Sequence, residues 1–157
     1  MFRKPANTIV LLCLVLPAGC RDGRQPATVT IGGHTWTVEI AMTAAERYNG
    51  LSERPRLPQR TGMLFIYPRP HVMTFCMRQC LIPLDIAFID SNMTVIKIHT
   101  MRVEPYGAEQ MSYSSLLPAQ FALEVNAGEL AEAGVKEGDT VAFSSGVPDP
   151  AKAEPPG

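Results

Sequence analysis

After residue 27, apolar and polar residues alternate in two short stretches. Thr28–Ile31 and Thr35–Ile40 each place an apolar side chain at every second position, and Gly32-Gly33 lies between them. A period of two indicates strands with one buried face, and paired glycines adopt the positive φ angles of a tight turn. The pattern therefore predicts a β-hairpin.

A helix is predicted directly after the hairpin. Thr43 and Glu46 have the Thr-x-x-Glu spacing of a capping box, in which each side chain bonds the backbone amide of the other residue. We expect this helix to run from about residue 44 to 51. The residues from 54 to 61 include Pro55 and Pro58, which predict a loop.

The rest of the chain contains short apolar runs separated by turn residues. Gly62–Tyr67 is a strand that Pro68 and Pro70 are expected to end. The further predicted strands are Val72–Met77, Ile86–Ile89, Val95–His99, Ala119–Val125 and Thr140–Phe143, and Ala127–Ala133 is a short helix or turn. Seven or eight short strands with one or two short helices are typical of a β-sandwich or β-barrel.

The N-terminal residues have the order of a bacterial export signal. Arg3 and Lys4 precede the apolar run Ile9–Leu16, which is too short to span a bilayer, and Ala18-Gly19 stands directly before Cys20. Small residues before a cysteine resemble a lipobox, so we expect lipidation at Cys20 and a membrane anchor there. Cleavage after Ala18 and an uncleaved anchor are the alternatives, and all three place the domain outside the cytoplasm.

Four regions follow from these patterns. Residues 1–19 are a lipoprotein-type signal peptide, 20–27 a polar tether, 28–145 the β domain, and 146–157 a proline-rich tail expected to be disordered. The expected location is the periplasm or cell envelope. Arg21, rather than Asp, after the lipidated cysteine favours the outer membrane.

Composition excludes several function classes. The net charge is −1 and 18% of residues are charged, so no basic excess exists to bind nucleic acid. The sequence lacks the Gly-x-Ser-x-Gly elbow, the phosphate-binding Gly-rich loop, the His-Glu-x-x-His motif and the dinucleotide fingerprint. It therefore predicts no cofactor, and an enzyme is the less favoured interpretation.

Six sequence blocks, in conserved order from about residue 38 to 143, resemble the domain family of unknown function 192 (DUF192). They include Thr43-x-x-Glu46-Arg47-x-x-Gly50-Leu51, Gly62-Met63-Leu64-Phe65, Phe75-x-Met77, Ile82-Pro83-Leu84-Asp85, Pro118-Ala119 and Ala127-Gly128 with Gly138-Asp139. The resemblance implies a jelly-roll-like antiparallel β-sandwich or barrel, often exported in bacteria, with no established activity. This chain departs from the family at Cys76, where Trp is common, and at Gln79-Cys80, where Asn-Thr is frequent.

Asp85 is the strongest candidate for a binding residue, because it stands among large apolar residues. A buried carboxylate must be protonated, hydrogen-bonded or paired, and Arg78 is the nearest expected cation. We therefore predict a cleft near Asp85 and Arg78, with Glu46 and Arg47 at one end of the sandwich as further ligand-binding residues. The expected ligand is a small molecule, a glycan or an envelope partner.

Two alternatives use other chemistry. His71, Met77, Cys76 and Cys80 are soft donors that suit copper or thiol redox chemistry, although strand parity divides them between two faces. A disulfide between the cysteines requires a tight turn, since four extended residue steps exceed its span. A small hydrolase built on Asp85 is the other alternative.

Overall fold

A computed structural model describes residues 25–105 and 107–156, which form a seven-stranded curled sheet. The strands are β1 (Thr28–Ile31), β2 (His34–Ala41), β3 (Thr61–Phe75), β4 (Leu84–Ile89), β5 (Val95–Met101), β6 (Tyr113–Asn126) and β7 (Val141–Phe143), in the sheet order β5-β4-β6-β3-β2-β1-β7. Helices α1 (Ala44–Asn49) and α2 (Glu129–Glu132) are short. The mainly β prediction is confirmed, and within the described ranges no helix has the length and apolar character needed to cross a membrane.

The two local motifs form as predicted. β1 and β2 pair as an antiparallel hairpin, with Val29 opposite Trp36. Thr43 caps α1 by accepting from the amide of Glu46 at 3.2 Å, and the Glu46 carboxylate accepts from the amide of Thr43 at 2.9 Å. Gly50 ends the helix at φ 48°, so the chain turns back toward the sheet.

One strand pair differs from the expected antiparallel arrangement. β2 and β3 are parallel, with Ile40 opposite Leu64. Parallel neighbours need a crossover that returns the chain to the starting edge. Here α1 and the proline-containing loop after it supply that crossover, so the sheet is mixed.

β3 is one long strand, and the prediction that Pro68 and Pro70 would end it was wrong. Its pairing with β6 is interrupted between Ile66 and His71, where both prolines lie. A proline cannot donate a ladder hydrogen bond, so a strand accommodates it where pairing is already broken. The strand therefore continues on the far side of the irregular segment.

The residues before Gly157 are packed rather than disordered. Pro150–Lys152 form a 3₁₀ turn that contacts β3, and Ala153 is buried. The amide of Glu154 donates to the carbonyl of Met42 at 2.9 Å. These contacts hold the proline-rich segment against the sheet, although its composition is typical of disorder.

The central strands are buried on both faces, and each face has its own core. The Trp36 core draws residues from all seven strands, including Trp36, Leu64, Ala87 and Leu123. The Phe65 core, on the opposite face, contains Met63, Phe65, Ile86, Phe88 and Ala122. The edges of the sheet meet at a Thr94–Thr140 bridge, so the sheet curls around the Trp36 core.

Asp85 faces the Trp36 core, where it joins the sheet to α2. Its carboxylate accepts from the Thr100 hydroxyl at 2.8 Å and from the amides of Gly128 and Leu130 at 2.8 and 3.2 Å. The side chain is buried, and these donors compensate its lost hydration. Of the possibilities considered from sequence, hydrogen bonding to loop amides is the one that the structure contains.

Replacing this carboxylate is expected to destabilise the fold. Asp85→Ala leaves two amides and one hydroxyl without an acceptor, which is expected to lower the free energy of unfolding by about 3 kcal/mol. Urea denaturation of the variant and of Glu132→Ala, an exposed control, measures the difference. A loss no larger than that of the control would contradict the assigned role.

Candidate ligand-binding cleft

A cleft of about 270 Å³ lies between α1, β3 and the turn that follows β3. Its floor is formed by the buried residues Leu51, Phe65 and Glu124, and its rim includes the exposed Tyr48 and Cys76. The cleft opens on the Phe65-core side of the sheet. This face is less enclosed than the other, because the sheet curls away from it.

The end of α1 determines the position of one wall. Gly50 turns the chain so that Leu51 enters the Phe65 core, and a side chain at Gly50 would meet the Phe65 ring at 3.3 Å. On the opposite wall, the amide of Cys80 donates to the carbonyl of Met77 at 3.1 Å, which closes a turn. The cleft is the space that these two covering segments leave above the sheet.

Glu124 is the one acidic side chain on the floor. It lies on β6 opposite Ile86 of β4 and Met63 of β3, so its carboxyl shares the face of the Phe65 core. Gly62 lets the backbone of β3 lie close to the backbone of β6 at Glu124, since a Cβ at residue 62 would lie 2.3 Å from the Glu124 carbonyl oxygen. Glu124 is only 5% exposed.

The carboxyl of Glu124 has no compensating partner among the described residues. Desolvation by burial is the cause of its altered pKa, which rises from 4.5 to about 8. Burial disfavours the charged form of an acid, and neither an arginine nor a backbone amide offsets that cost here. The carboxyl is therefore mainly protonated at neutral pH.

The same environment affects two neighbouring groups. Burial, reinforced by the nearby Glu124 and Cys76, raises the pKa of the Cys80 thiol to about 11. Burial also raises the pKa of Tyr67, and Glu124 acts in the same direction. The interior of the cleft thus disfavours negative charge, and Cys80 stays a thiol at neutral pH.

Arg47 lines the cleft but is committed to structural contacts. Its guanidinium donates to the carbonyls of Met42, Ile66, Glu154 and Pro155 at 2.8 to 3.2 Å. It also lies 4.4 Å from the centroid of the Tyr67 ring. Arg47 therefore ties α1, β3 and the C-terminal segment together at this wall.

Arg78 has fewer hydrogen-bond partners than Arg47. Its guanidinium lies 3.9 Å from the centroid of the Tyr48 ring and donates to the Tyr48 carbonyl and, at 2.7 Å, to the exposed Gln79 side chain. A guanidinium has five N–H donors, so several remain for a ligand. Arg78 is thus a cation at the rim with free hydrogen-bonding capacity.

The structure separates the residues that were expected to act together. Asp85 pairs across the sheet with Val125, whereas Glu124 is one position earlier on β6, so the two acids project from opposite faces. The expected Asp85–Arg78 pair does not form, and the cleft contains Arg78 without Asp85. Glu46 is occupied by its capping bonds, with the amides of Met42 and Thr43 holding its pKa below the usual value.

Sequence reasoning missed Glu124 because the run Ala119–Val125 was interpreted only as a strand. The signal was an acid inside a run of otherwise apolar residues, Phe121 to Val125, that the sheet buries on both faces. Asp85 gave the same signal in the neighbouring strand. Only the pairing register shows which of the two acids lacks donors.

The donors of the copper or redox alternative are divided in the structure. Cys76 and Cys80 are free thiols at the cleft, but Met77 is buried in the Phe65 core. His71 packs against Tyr67, with ring centroids 4.6 Å apart, and does not line the cleft. Over residues 25–105 and 107–156, no group of three His, Cys, Asp or Glu side chains is placed to hold a metal ion.

A wider depression of about 790 Å³ adjoins the cleft and shares Arg78 and Cys80 with it. Its far wall is formed by residues 103–105, 107, 108 and 110, most of which are exposed. Glu104 in this wall uses one carboxylate oxygen to accept from the Met111 amide at 2.8 Å. The smaller cleft has the buried floor that a specific site requires, and we place the candidate site there.

Comparison with known proteins gives relatives without an established activity. A protein of Sinorhizobium meliloti 1021 described as a "putative transcription regulator" is 29% identical, covers 79% of this chain and 97% of its own, and has a TM-score of 0.68. A protein of unknown function from Novosphingobium aromaticivorans DSM 12444 is 34% identical, covers 87% and 99%, and has a TM-score of 0.64. No curated protein matches the chain.

The family model of DUF192, described as an uncharacterised ACR, matches residues 27–143. These residues include all seven strands, both helices and every residue of the cleft. The chain belongs to the DUF192 family.

Proposed function

We propose that this domain binds a small organic molecule in the 270 Å³ cleft without chemically changing it, and that Glu124 is the polar anchor of the ligand. The observation that carries the proposal is the environment of the Glu124 carboxyl. Glu124 is only 5% exposed, it lines the cleft, and its carboxyl lacks a partner among the described residues. Such a group reduces stability unless something compensates it. A bound ligand with a complementary polar group would do so.

The two alternative functions receive less support. A redox or metal-binding thiol acts as the thiolate, and the raised pKa of Cys80, about 11, disfavours that form. A hydrolase built on Asp85 would need an accessible carboxylate, yet both oxygens of Asp85 already accept hydrogen bonds. The cleft combines the apolar side chains of Leu51, Phe65 and Phe75 with polar and charged groups, as recognition sites do.

The description of the S. meliloti relative does not change this proposal. A DNA-binding regulator needs a basic surface that neutralises phosphates, and this chain has 14 basic residues against 15 acidic ones. Binding of a small molecule is compatible both with a regulatory role and with a role unrelated to regulation.

We also propose that the domain acts in the cell envelope, held by a lipid at Cys20. The support is the sequence of residues 1–20, which lie outside the described ranges. Binding in the periplasm would then take place close to the membrane that holds the anchor.

The binding function is tested by a metabolite screen on the full chain. We expect hits that bind with one-to-one stoichiometry and lose at least tenfold affinity in Glu124→Gln, because the amide cannot ionise and its N–H is a weaker hydrogen-bond donor than the carboxyl O–H. Isothermal titration calorimetry gives both quantities. Glu132→Gln makes the same substitution on an exposed side chain and should bind as the wild type does. Hits that bind Glu124→Gln equally well would contradict the assignment of the site.

The anchor is tested by metabolic labelling with radioactive palmitate. We expect label in the wild type and in Cys13→Ala, and none in Cys20→Ala, since the lipid is attached to that thiol. Membrane fractionation of the same three proteins should show loss of membrane association in Cys20→Ala alone. Label that persists in Cys20→Ala would rule out the proposed attachment.

A further inference from the structure

We propose that the ligand is a small zwitterion whose ammonium group is bound by Glu124 and whose anionic group is bound by Arg78. The inference rests on the proposed binding function and names the ligand class. Free amino acids and phosphoethanolamine, a lipid headgroup, share this chemistry.

The inner end of the cleft suits an ammonium group. Glu124 supplies a largely buried carboxyl, and the rings of Phe65 and Phe75 line the same space. Aromatic faces attract cations, and a carboxylate in a desolvated site binds an ammonium more strongly than in water. No arginine or lysine among the described residues already occupies this carboxyl.

The outer end suits an anion. Arg78 stands at the rim, stacked on the exposed Tyr48, and its described hydrogen bonds engage two acceptors. Three of its five N–H groups remain, and a guanidinium N–H donates well to carboxylate or phosphate oxygens. Arg47 is not equivalent, because four backbone carbonyls already take its donors.

The size of the cleft limits the distance between the two charges. A volume of 270 Å³ lies below the roughly 300 to 1,000 Å³ of sites for drug-sized ligands. Glu124 and Arg78 both line this one small space, so a single ligand that touches both needs few heavy atoms between its two charged groups. An amino acid or phosphoethanolamine meets this requirement.

The protonation of Glu124 gives the proposal a distinctive pH dependence. At neutral pH the free carboxyl holds a proton, since burial raises its pKa to about 8. When an ammonium ligand binds, Glu124 must ionise. The proton of Glu124 then passes to solvent, and the ligand's ammonium group keeps its protons. Affinity should therefore rise about tenfold per pH unit below pH 8. A neutral ligand that accepts a hydrogen bond from the protonated carboxyl would show no such rise.

The experiment is calorimetric titration of the full chain at pH 6, 7 and 8. The probes are each of the twenty protein amino acids and phosphoethanolamine. We expect at least one to bind with one-to-one stoichiometry and with a Kd that falls about tenfold from pH 6 to pH 7. Binding by amino acids identifies them as the source, and binding by phosphoethanolamine alone identifies the lipid headgroup.

Ligand derivatives and variants separate the two ends of the site. For the best probe, N-acetylation removes the ammonium and should cost at least tenfold in affinity. Glu124→Gln should lose the pH dependence. Arg78→Gln should weaken the zwitterion at least tenfold but leave unchanged the affinity of its derivative in which the anionic group is replaced by an amide. The matched controls Glu132→Gln and Arg56→Gln, on exposed side chains, should behave as the wild type.

Two results would overturn the inference, and they differ in what else they affect. If metabolites bind at Glu124 but no zwitterion does, or if the N-acetyl derivative binds as tightly as the parent, the ligand class is wrong while the binding function stands. If no molecule binds at the cleft, both the ligand class and the proposed function are wrong.

Discussion

The structure depends on the burial of both faces of the three central strands, β3, β4 and β6. One face is enclosed by the sheet itself, which curls until its edges meet at Thr94 and Thr140. The opposite face cannot be enclosed in this way, so α1 and the turn after β3 cover it instead. Short covering segments leave a gap above a continuous sheet. The candidate site is that gap, and its position therefore follows from how the two cores are closed.

The two buried acids show how strongly local donors decide the chemistry of a carboxyl. Asp85 and Glu124 lie on paired strands and are both nearly inaccessible to water. Asp85 faces the Trp36 core, where α2 presents its amides and Thr100 its hydroxyl. Glu124 faces the Phe65 core and finds no such donors, so burial alone controls its protonation. One carboxylate is thus part of the framework, and the other is available for binding.

Local features could be predicted from the sequence, and features that depend on pairing could not. The Gly32-Gly33 hairpin and the Thr43–Glu46 capping box are determined by neighbouring residues, and both form. The parallel pairing of β2 with β3 and the passage of β3 through its prolines depend on distant partners. The site shows the same division: Arg47 and Arg78 do line the cleft, but their acidic counterpart is Glu124 rather than Asp85. Register decides which acid faces which core, and no local pattern determines register.

Glu124 stays protonated because it is buried without a partner, and the candidate site depends on this property. The most direct measurement is an NMR titration of the full chain with ¹³C-labelled glutamate side chains, in which Glu124→Gln identifies the Glu124 carboxyl signal. We expect a midpoint near pH 8 for this carboxyl, far above the ordinary range of a solvated glutamate, near 4. A midpoint in that ordinary range would mean that Glu124 is solvated or paired, and would contradict its being protonated at neutral pH.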